Sequence, residues 1–180
     1  MSQLKSLFEP IQVGQMSLKN RIVMPALGLC LTRDGKVSED LVQFYAERAR
    51  GGAGLIVFVC SPTYFYERGA GAIPLIAEDE SIPGLRQMAD IIHAGGAMAA
   101  AQLIVWPMWA KSREAAVEMV APCDLPASRR PGAPVPRSLT QGEIRDLVDL
   151  MGEGARRARA AGFDAVEFHA MGGESLPSQF

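Results

Sequence analysis

Short apolar runs alternate with longer helical segments along the chain, and this alternation constrains the fold more than any single motif does. The run over 54–60 is continuous in β-branched and aromatic side chains, which is typical of a strand buried on both faces. Further strands are predicted over 22–29, 97–103 and 165–168, with a helix between each pair. Because the β–α alternation is uninterrupted, it predicts a parallel sheet with right-handed crossovers.

Each predicted helix carries start and stop signals. Small polar residues suit helix N-caps, and glycine suits the position that follows the last turn. Thr140 and Glu143 have the spacing of a capping box, in which each side chain satisfies a backbone N–H near the other residue. In chain order the predicted starts are Ser38, Ser81 and Thr140, and the predicted stops are Gly51, Gly95 and Gly162.

Composition excludes several functional classes. The formal net charge of −2 gives no electrostatic reason to expect a nucleic acid or an anionic membrane as a partner. No stretch is apolar for long enough to predict a signal peptide or a membrane span. The three cysteines are odd in number and widely spaced, which argues against a disulfide framework or a zinc cluster. We therefore expect a cytoplasmic protein with no metal site.

Periodicity alone does not distinguish a closed barrel from a doubly wound open sheet. No G-x-G-x-x-G follows the first predicted strand, which weakens the dinucleotide-binding open sheet. Residues 104–139 form a proline-rich connection, and connections of this length are usually functional or mobile. Trp106 and Trp109 in this segment are candidates for the roof of a pocket, and equally for loop aromatics packed on the sheet.

His169 lies at the tip of the last predicted strand. Strand tips of parallel α/β proteins are the places where side chains reach a ligand from a rigid backbone. A lone histidine is a weak indication of a site, because a packed or solvent-capped ring explains it as well. The residues around it decide between these interpretations.

Several segments match one family in collinear order, and this order is more specific than any one motif. Residues 7–28 are similar to an opening hairpin and first strand, and residues 157–170 to the fourth strand. The intervening matches lie over 44–57, 101–103, 120–126 and 136–144. Together they resemble the old yellow enzyme family, the flavin-dependent ene reductases and NADH:flavin oxidoreductases. The resemblance implies an α/β fold, the (β/α)8 TIM barrel, with FMN at its C-terminal face.

The chain covers about the first four strands of such a barrel, so residues 1–180 are expected to form a single incomplete domain, a half barrel. By resemblance, the backbone of Pro25, Ala26 and Leu27 lines the flavin, and Cys60 at the end of the second strand touches the isoalloxazine. Gln102 matches a glutamine that hydrogen-bonds the pyrimidine edge of the flavin. A carboxamide suits this edge because it both donates and accepts.

His169 matches the first member of a His-x-x-His or His-x-x-Asn pair in the family, which holds the oxygen of an unsaturated carbonyl compound. Such a donor acts most strongly in the transition state. The second member of the pair falls at Gly172, and the tyrosine that donates a proton in the family falls near Glu174, so both partners are absent. The FMN phosphate site would lie beyond Phe180.

The resemblance implies an FMN-dependent oxidoreductase that uses NADH or NADPH to reduce activated C=C bonds of unsaturated carbonyl compounds, here as a fragment of a longer enzyme. A half barrel leaves two sheet edges unpaired, so we expect a homo-oligomer or a missing C-terminal half as partner. The alternative is a non-catalytic half barrel that acts only as an oligomer or partner module. A different barrel enzyme that uses Glu167 and His169 is disfavoured by the collinear match.

Overall fold

The computed structural model of the chain describes residues 4–64, 73–109, 118–123, 135–172 and 175–180. In chain order its strands are β1 (Ile11–Val13), β2 (Met16–Leu18), β3 (Val23–Met24), β4 (Leu55–Cys60), β5 (Met98–Leu103), β6 (Met108–Trp109), β7 (Glu118–Ala121), β8 (Arg137–Ser138) and β9 (Ala165–Phe168). Its α-helices are α1 (Glu39–Arg50), α2 (Ile82–Ala94) and α3 (Gln141–Ala161). Short 3₁₀ helices cover Lys5–Phe8, Asp79–Ser81 and Leu176–Gln179.

The central sheet has four strands in the order β3-β4-β5-β9, and each strand runs parallel to its neighbours. The predicted parallel sheet is therefore confirmed. Spatial order follows chain order without reversal, as in a segment of a (β/α) barrel and unlike the switch point of a doubly wound sheet. The antiparallel hairpin β1–β2 precedes this sheet, as predicted for residues 7–28.

The first barrel strand is shorter than predicted. Only Val23 and Met24 pair with β4, opposite Leu55 and Ile56, whereas the sequence predicts a strand over 22–29. Pro25 ends the pairing because its ring nitrogen carries no hydrogen to donate to the ladder. The apolar residues after Pro25 therefore form a loop above the sheet.

The predicted helix starts and stops are confirmed, but the Ser81 side chain does not cap α2, because its Oγ donates a hydrogen bond to the Glu78 carbonyl instead. Ser38 Oγ accepts a hydrogen bond from the Leu41 backbone N–H at 3.2 Å and caps α1. At α3, Thr140 Oγ1 accepts from the Glu143 backbone N–H at 3.2 Å, and the Glu143 carboxylate accepts from the Thr140 backbone N–H at 2.9 Å. Gly162 ends α3 with φ +97°, a left-handed conformation that glycine adopts without steric cost.

All three α-helices pack against one face of the central sheet. Alternate residues of β4 point into this layer, and the Phe58 ring lies edge-on to the Tyr45 ring of α1 at 5.2 Å between centroids. The helices approach closely at Gly95, where an added Cβ would lie 2.3 Å from the Ala49 Cβ. The main core therefore lies outside the sheet, and the opposite sheet face is left to form the barrel interior.

A small second sheet was not predicted from the sequence. β7 pairs antiparallel with β6 and parallel with β8, within the segment interpreted as an irregular connection. Arg137 of β8 joins this sheet to α3 by donating hydrogen bonds to both Glu118 and Glu143. The remaining edges of β3 and β9 have no strand neighbour among the described residues. Within the same ranges, no helix has the length and apolarity that a bilayer crossing requires.

Candidate functional site

A cavity of about 670 Å³ lies at the carboxyl ends of the central strands, on the sheet face opposite the helices. Its walls are mainly apolar, with a few polar groups that come from different strands. The lining residues are Val23, Pro25, Ala26, Gly28, Val57, Val59, Ile73, Gln102, Ile104, Trp106, Glu167, Phe168, His169, Ala170 and Met171. Four of the six residues predicted for the site lie among them.

Strand register explains why the polar groups meet. Val59, Gln102 and Glu167 are paired across β4, β5 and β9, so they form one row across the sheet. Residues opposite one another in neighbouring strands point to the same face. Gln102 Nε2 donates a hydrogen bond to Glu167 Oε1 at 2.5 Å. The predicted flavin contact Gln102 therefore lies in the cavity wall with a carboxylate as its partner.

His169 follows β9 directly and lines the same cavity. Its backbone N–H donates to the Leu103 carbonyl at 3.0 Å, which extends the β5–β9 ladder and fixes the histidine backbone. The Nδ1 atom is buried and has no hydrogen-bond partner among the described residues. The ring thus has hydrogen-bonding capacity that the described protein does not use, at the position where a ligand oxygen is predicted.

The loop after β3 supplies the opposite wall. Pro25 and Ala26 line the cavity, as predicted for residues that face a flavin. Leu27 does not line it, and its side chain is exposed. A role for the Leu27 backbone remains a prediction.

Cys60 lies on the other face of β4. Its side chain is fully buried in the core between the sheet and the helices, and burial raises the pKa of the thiol. The thiol donates a long hydrogen bond of 3.6 Å to the Gln102 carbonyl. A side-chain contact with a ring in the cavity does not fit this placement, so the predicted flavin contact of Cys60 is left to its backbone.

Two residues near His169, Gly172 and Glu174, stand where the family has its second donor and its tyrosine. Gly172 has φ +80°, and among the described residues no atom beyond its chain neighbours lies within 4 Å of the place where its Cβ would be. With respect to these residues, the position that carries histidine or asparagine in the family is both open and left-handed here. Glu174 lies outside the described residues, as does the side chain of Trp109. Trp106 lines the cavity, in accord with the pocket interpretation.

Sequence reasoning considered Glu167 only for an unrelated barrel enzyme and did not connect it with Gln102. One signal was available. Glu167 is two residues before His169, and alternation along an extended chain turns both side chains to the same side, which is the side of the cavity that Gln102 also lines. What the sequence lacked was the register that places Gln102 opposite Glu167.

A second, apolar cavity of about 560 Å³ lies beside β9, at the edge that has no strand neighbour among the described residues. It is lined by residues of α3, by Phe168 of β9 and by C-terminal residues up to Phe180, and the side chains of Val148, Phe168 and Phe180 are largely exposed. No group of three or more potential metal ligands occurs in the part of the chain that the structure describes.

Comparison with known proteins gives one family match over residues 6–180, the NADH:flavin oxidoreductase / NADH oxidase family. A metal reductase of Desulforamulus reducens is 40% identical over 97% of this chain and 25% of its own length. A 4,4'-dithiodibutanoate disulfide reductase of Rhodococcus erythropolis is 36% identical over 97% of this chain and 42% of its own length. A cinnamate reductase of Clostridium sporogenes is 34% identical over 99% of this chain and 28% of its own length.

Solved structures agree with these sequence matches. Morphinone reductase in complex with tetrahydroNAD superposes with a TM-score of 0.80 at 29% identity, over 96% of this chain and 51% of that chain. The old yellow enzyme homologue of Zymomonas mobilis gives a TM-score of 0.78 at 31% identity, over 94% and 50%. The chain therefore spans between a quarter and about half of the length of these proteins. The predicted fold class, a partial (β/α)8 barrel, is confirmed.

Proposed function

Because the chain belongs to the NADH:flavin oxidoreductase / NADH oxidase family, we propose that it provides the flavin-binding strand tips of an FMN-dependent oxidoreductase that takes its electrons from NADH or NADPH. One observation supports this most strongly. Pro25, Ala26, Gln102 and His169 come from three separate segments of the chain, and they line a single cavity at the carboxyl ends of the strands. This is the end of a β/α barrel at which ligands bind.

The residues present suit a flavin ring. The volume of about 670 Å³ lies within the range of cofactor pockets, which are largely apolar with a few placed polar groups. Val57, Val59 and Ile104 offer apolar surface to a planar ring. Gln102 offers a carboxamide to the polar edge of the ring, and a carboxamide can donate and accept at once.

The chemistry that a bound flavin supplies is hydride transfer from the nicotinamide to an activated alkene. The protein's task is to place and polarise the substrate. We propose that His169 donates a hydrogen bond to the carbonyl oxygen of an unsaturated carbonyl compound. Charge builds up on that oxygen during reduction, so the donor stabilises the transition state more than the bound substrate.

The apolar wall lowers the polarity around the substrate. Trp106, Ile104 and Val59 line the cavity together with the polar groups, and a hydrogen bond to a developing negative charge is stronger where apolar side chains replace water. Gly172 contributes no side chain, so His169 acts as a single donor where the family has a pair. The named activities of the relatives are diverse, so the assignment to unsaturated carbonyl compounds depends on His169 as an oxygen-directed donor.

A fused barrel tests this proposal. Residues 6–180 are joined to the half of the morphinone reductase chain that they do not match, and reduction of cinnamaldehyde by NADH and NADPH is measured. We expect His169→Ala to lower kcat/KM by about 100-fold or more, the usual effect of losing an oxyanion donor, with the bound FMN unchanged. A His169→Ala barrel as active as its parent would contradict the role of His169.

The second candidate function, a non-catalytic half barrel that works as an oligomer or partner module, is favoured by a separate observation. The edges of β3 and β9 lack strand neighbours within the described ranges, and the apolar cavity beside β9 exposes Val148, Phe168 and Phe180. Unpaired edges and apolar patches promote association. Size-exclusion chromatography with light scattering separates the candidates. A single defined oligomer that binds no flavin supports the module, and a chain that binds flavin supports the enzyme.

A further inference from the structure

The hydrogen bond between Gln102 and Glu167 defines one orientation of the Gln102 carboxamide. A carboxylate oxygen accepts hydrogen bonds and has none to donate, so only the NH₂ end of the carboxamide can face it. The structure shows this arrangement, with Gln102 Nε2 donating to Glu167 Oε1 at 2.5 Å. The opposite orientation would place the Gln102 carbonyl oxygen against the carboxylate, where two acceptors repel each other.

Within the described residues, the hydrogen bond with Gln102 is the only polar contact of the Glu167 side chain. Neither an ion pair nor a second hydrogen bond to Glu167 is present within the described ranges, although its side chain is exposed in the cavity wall. Gln102 Oε1 likewise has no partner there. The pair thus leaves one free acceptor on Gln102, at the cavity that both residues line.

The backbone makes the pair rigid. Gln102 and Glu167 are register partners in the β5–β9 ladder, and Gln102 is also paired with Val59 on its other side. The hydrogen bond from the His169 backbone N–H to the Leu103 carbonyl, at 3.0 Å, continues the same ladder towards the cavity mouth. Side chains on paired strand positions keep their separation, so the hydrogen bond needs no movement to form.

We propose that Glu167 is a positioning residue that holds the Gln102 carboxamide with its carbonyl oxygen available to the cavity. The site then selects a ligand whose edge carries an N–H donor beside carbonyl acceptors, as the imide edge of a flavin does. The second Nε2 hydrogen of Gln102 remains free to donate to a neighbouring carbonyl of such an edge. The choice of ligand depends on the proposed flavin function, whereas the orientation of Gln102 does not.

A charge effect of Glu167 would have the opposite sign. A carboxylate near the cavity repels the phosphate of FMN, so its neutralisation tightens FMN binding if charge alone matters. If Glu167 positions Gln102, Glu167→Gln weakens FMN binding. The new side-chain amide can donate or accept a hydrogen bond, so it also allows the orientation in which the Gln102 carboxamide is rotated by 180°. Lumiflavin, which has the same ring without a phosphate, separates the ring contact from the phosphate repulsion.

The first measurement uses the ligand-free chain. The side-chain amide signals of Gln102 are identified in ¹⁵N–¹H spectra by their loss in Gln102→Ala. We expect Glu167→Gln and Glu167→Ala to shift them, with the hydrogen-bonded proton moving upfield. Asp149→Asn, which removes an exposed carboxylate from α3, serves as the matched control and leaves them in place. Gln102 signals that are the same in the parent and in both Glu167 variants would overturn the proposal.

The second measurement is a double-mutant cycle of Glu167→Gln and Gln102→Ala, in which the binding of lumiflavin and of FMN is titrated. We expect Glu167→Gln to weaken lumiflavin binding by about three- to tenfold, the usual range for one hydrogen bond, and by less than about twofold when Gln102 is already alanine. Equal losses in both backgrounds, or tighter FMN binding by Glu167→Gln, would overturn the proposal. The titrations use the fused barrel. If it binds neither flavin, the proposed flavin function fails, and the amide spectra of the unfused chain still decide the orientation of Gln102. Circular dichroism establishes that each variant is folded.

Discussion

The Nε2 atom of His93 and the Oδ2 atom of Asp164 lie 2.8 Å apart, and this contact joins the last turn of α2 to the turn before β9. The same carboxylate oxygen accepts a hydrogen bond from the Ala99 backbone N–H in β5 at 2.8 Å. Asp164 therefore links three elements at the amino end of the sheet. The candidate site lies at the opposite end, so this contact serves the fold.

Asp164→Ala removes both hydrogen bonds and leaves the Ala99 N–H without its acceptor. We expect the free energy of unfolding to fall by about 1–3 kcal/mol, the range for a partly buried hydrogen-bonding group that loses its partner. Urea unfolding followed by circular dichroism measures the change. Asp149→Ala on the exposed side of α3 is the control and should change stability by less than about 0.5 kcal/mol. Equal effects of the two substitutions would contradict the assigned role.

Stability at acid pH depends on Glu143. Hydrogen bonds from Arg137 and from the Thr140 backbone lower the pKa of this buried carboxyl from its ordinary 4.5 to about 2. A lowered pKa in the folded state contributes stability above the unfolded-state pKa, and this contribution is lost as the pH falls through the folded-state pKa. We expect the stability advantage of the parent chain over Glu143→Gln to be constant near neutral pH and to close between about pH 4.5 and pH 2.

Urea midpoints of the two chains, measured from pH 7 down to pH 2, check this expectation. Arg137→Gln removes the strongest cause of the lowered pKa, so the loss of stability on acidification should be smaller than in the parent and should end at a higher pH. Parallel pH profiles for parent and Glu143→Gln would show that the carboxyl is not selectively stabilised in the folded state.

The three thiols should differ in reactivity. Cys30 and Cys123 are exposed, whereas Cys60 is fully buried and burial raises the pKa of its thiol. Because the thiolate is the reactive form, we expect Cys30 and Cys123 to react with a disulfide reagent in the native chain and Cys60 only after unfolding. Mass spectrometry of the labelled peptides measures this order. Rapid native labelling of Cys60 would place its side chain on the cavity face instead.

Gly172 offers a route to the missing second donor. Its φ of +80° disfavours most side chains, but asparagine tolerates this region better than other residues, and no atom of the described residues beyond its chain neighbours obstructs the Cβ position. We expect Gly172→Asn in the fused barrel to tighten the binding of cinnamaldehyde by about two- to tenfold through one added hydrogen bond. Gly172→Ala carries the same backbone strain without a donor and is the control. No difference between the two variants would show that position 172 does not reach the ligand.

Much of the fold could be predicted because its signals are local. The Ser38 cap, the Thr140–Glu143 box and the Gly162 stop are each satisfied within a few residues, and the apolar run of β4 is buried wherever the sheet forms. The prediction was wrong where pairing decides the structure. Pro25 shortens the first strand to two residues, and the second sheet forms through contacts of β7 with distant segments.

In the candidate site, too, local motifs predict some features and strand pairing decides the others. Gln102 and His169 could be proposed from the motifs at their strand tips, and the structure places both in one cavity. The hydrogen bond between Gln102 and Glu167 could not be predicted from the sequence, because it depends on the register between β5 and β9. The side-chain direction of Cys60 follows from the alternation within β4, which motif matching alone does not consider. The flavin contacts of the five residues predicted to bind it, and the substrate contact of His169, remain predictions.

FMN retention by the fused barrel tests the central claim most directly, since the claim is that the strand tips of this chain hold a flavin. The purified fused barrel should show the absorbance of bound FMN near one equivalent per chain. Gln102→Ala should weaken FMN binding by about three- to tenfold, and Asp149→Asn should leave it unchanged. A fused barrel that folds but binds no FMN, or one whose FMN affinity is indifferent to Gln102, would contradict the account.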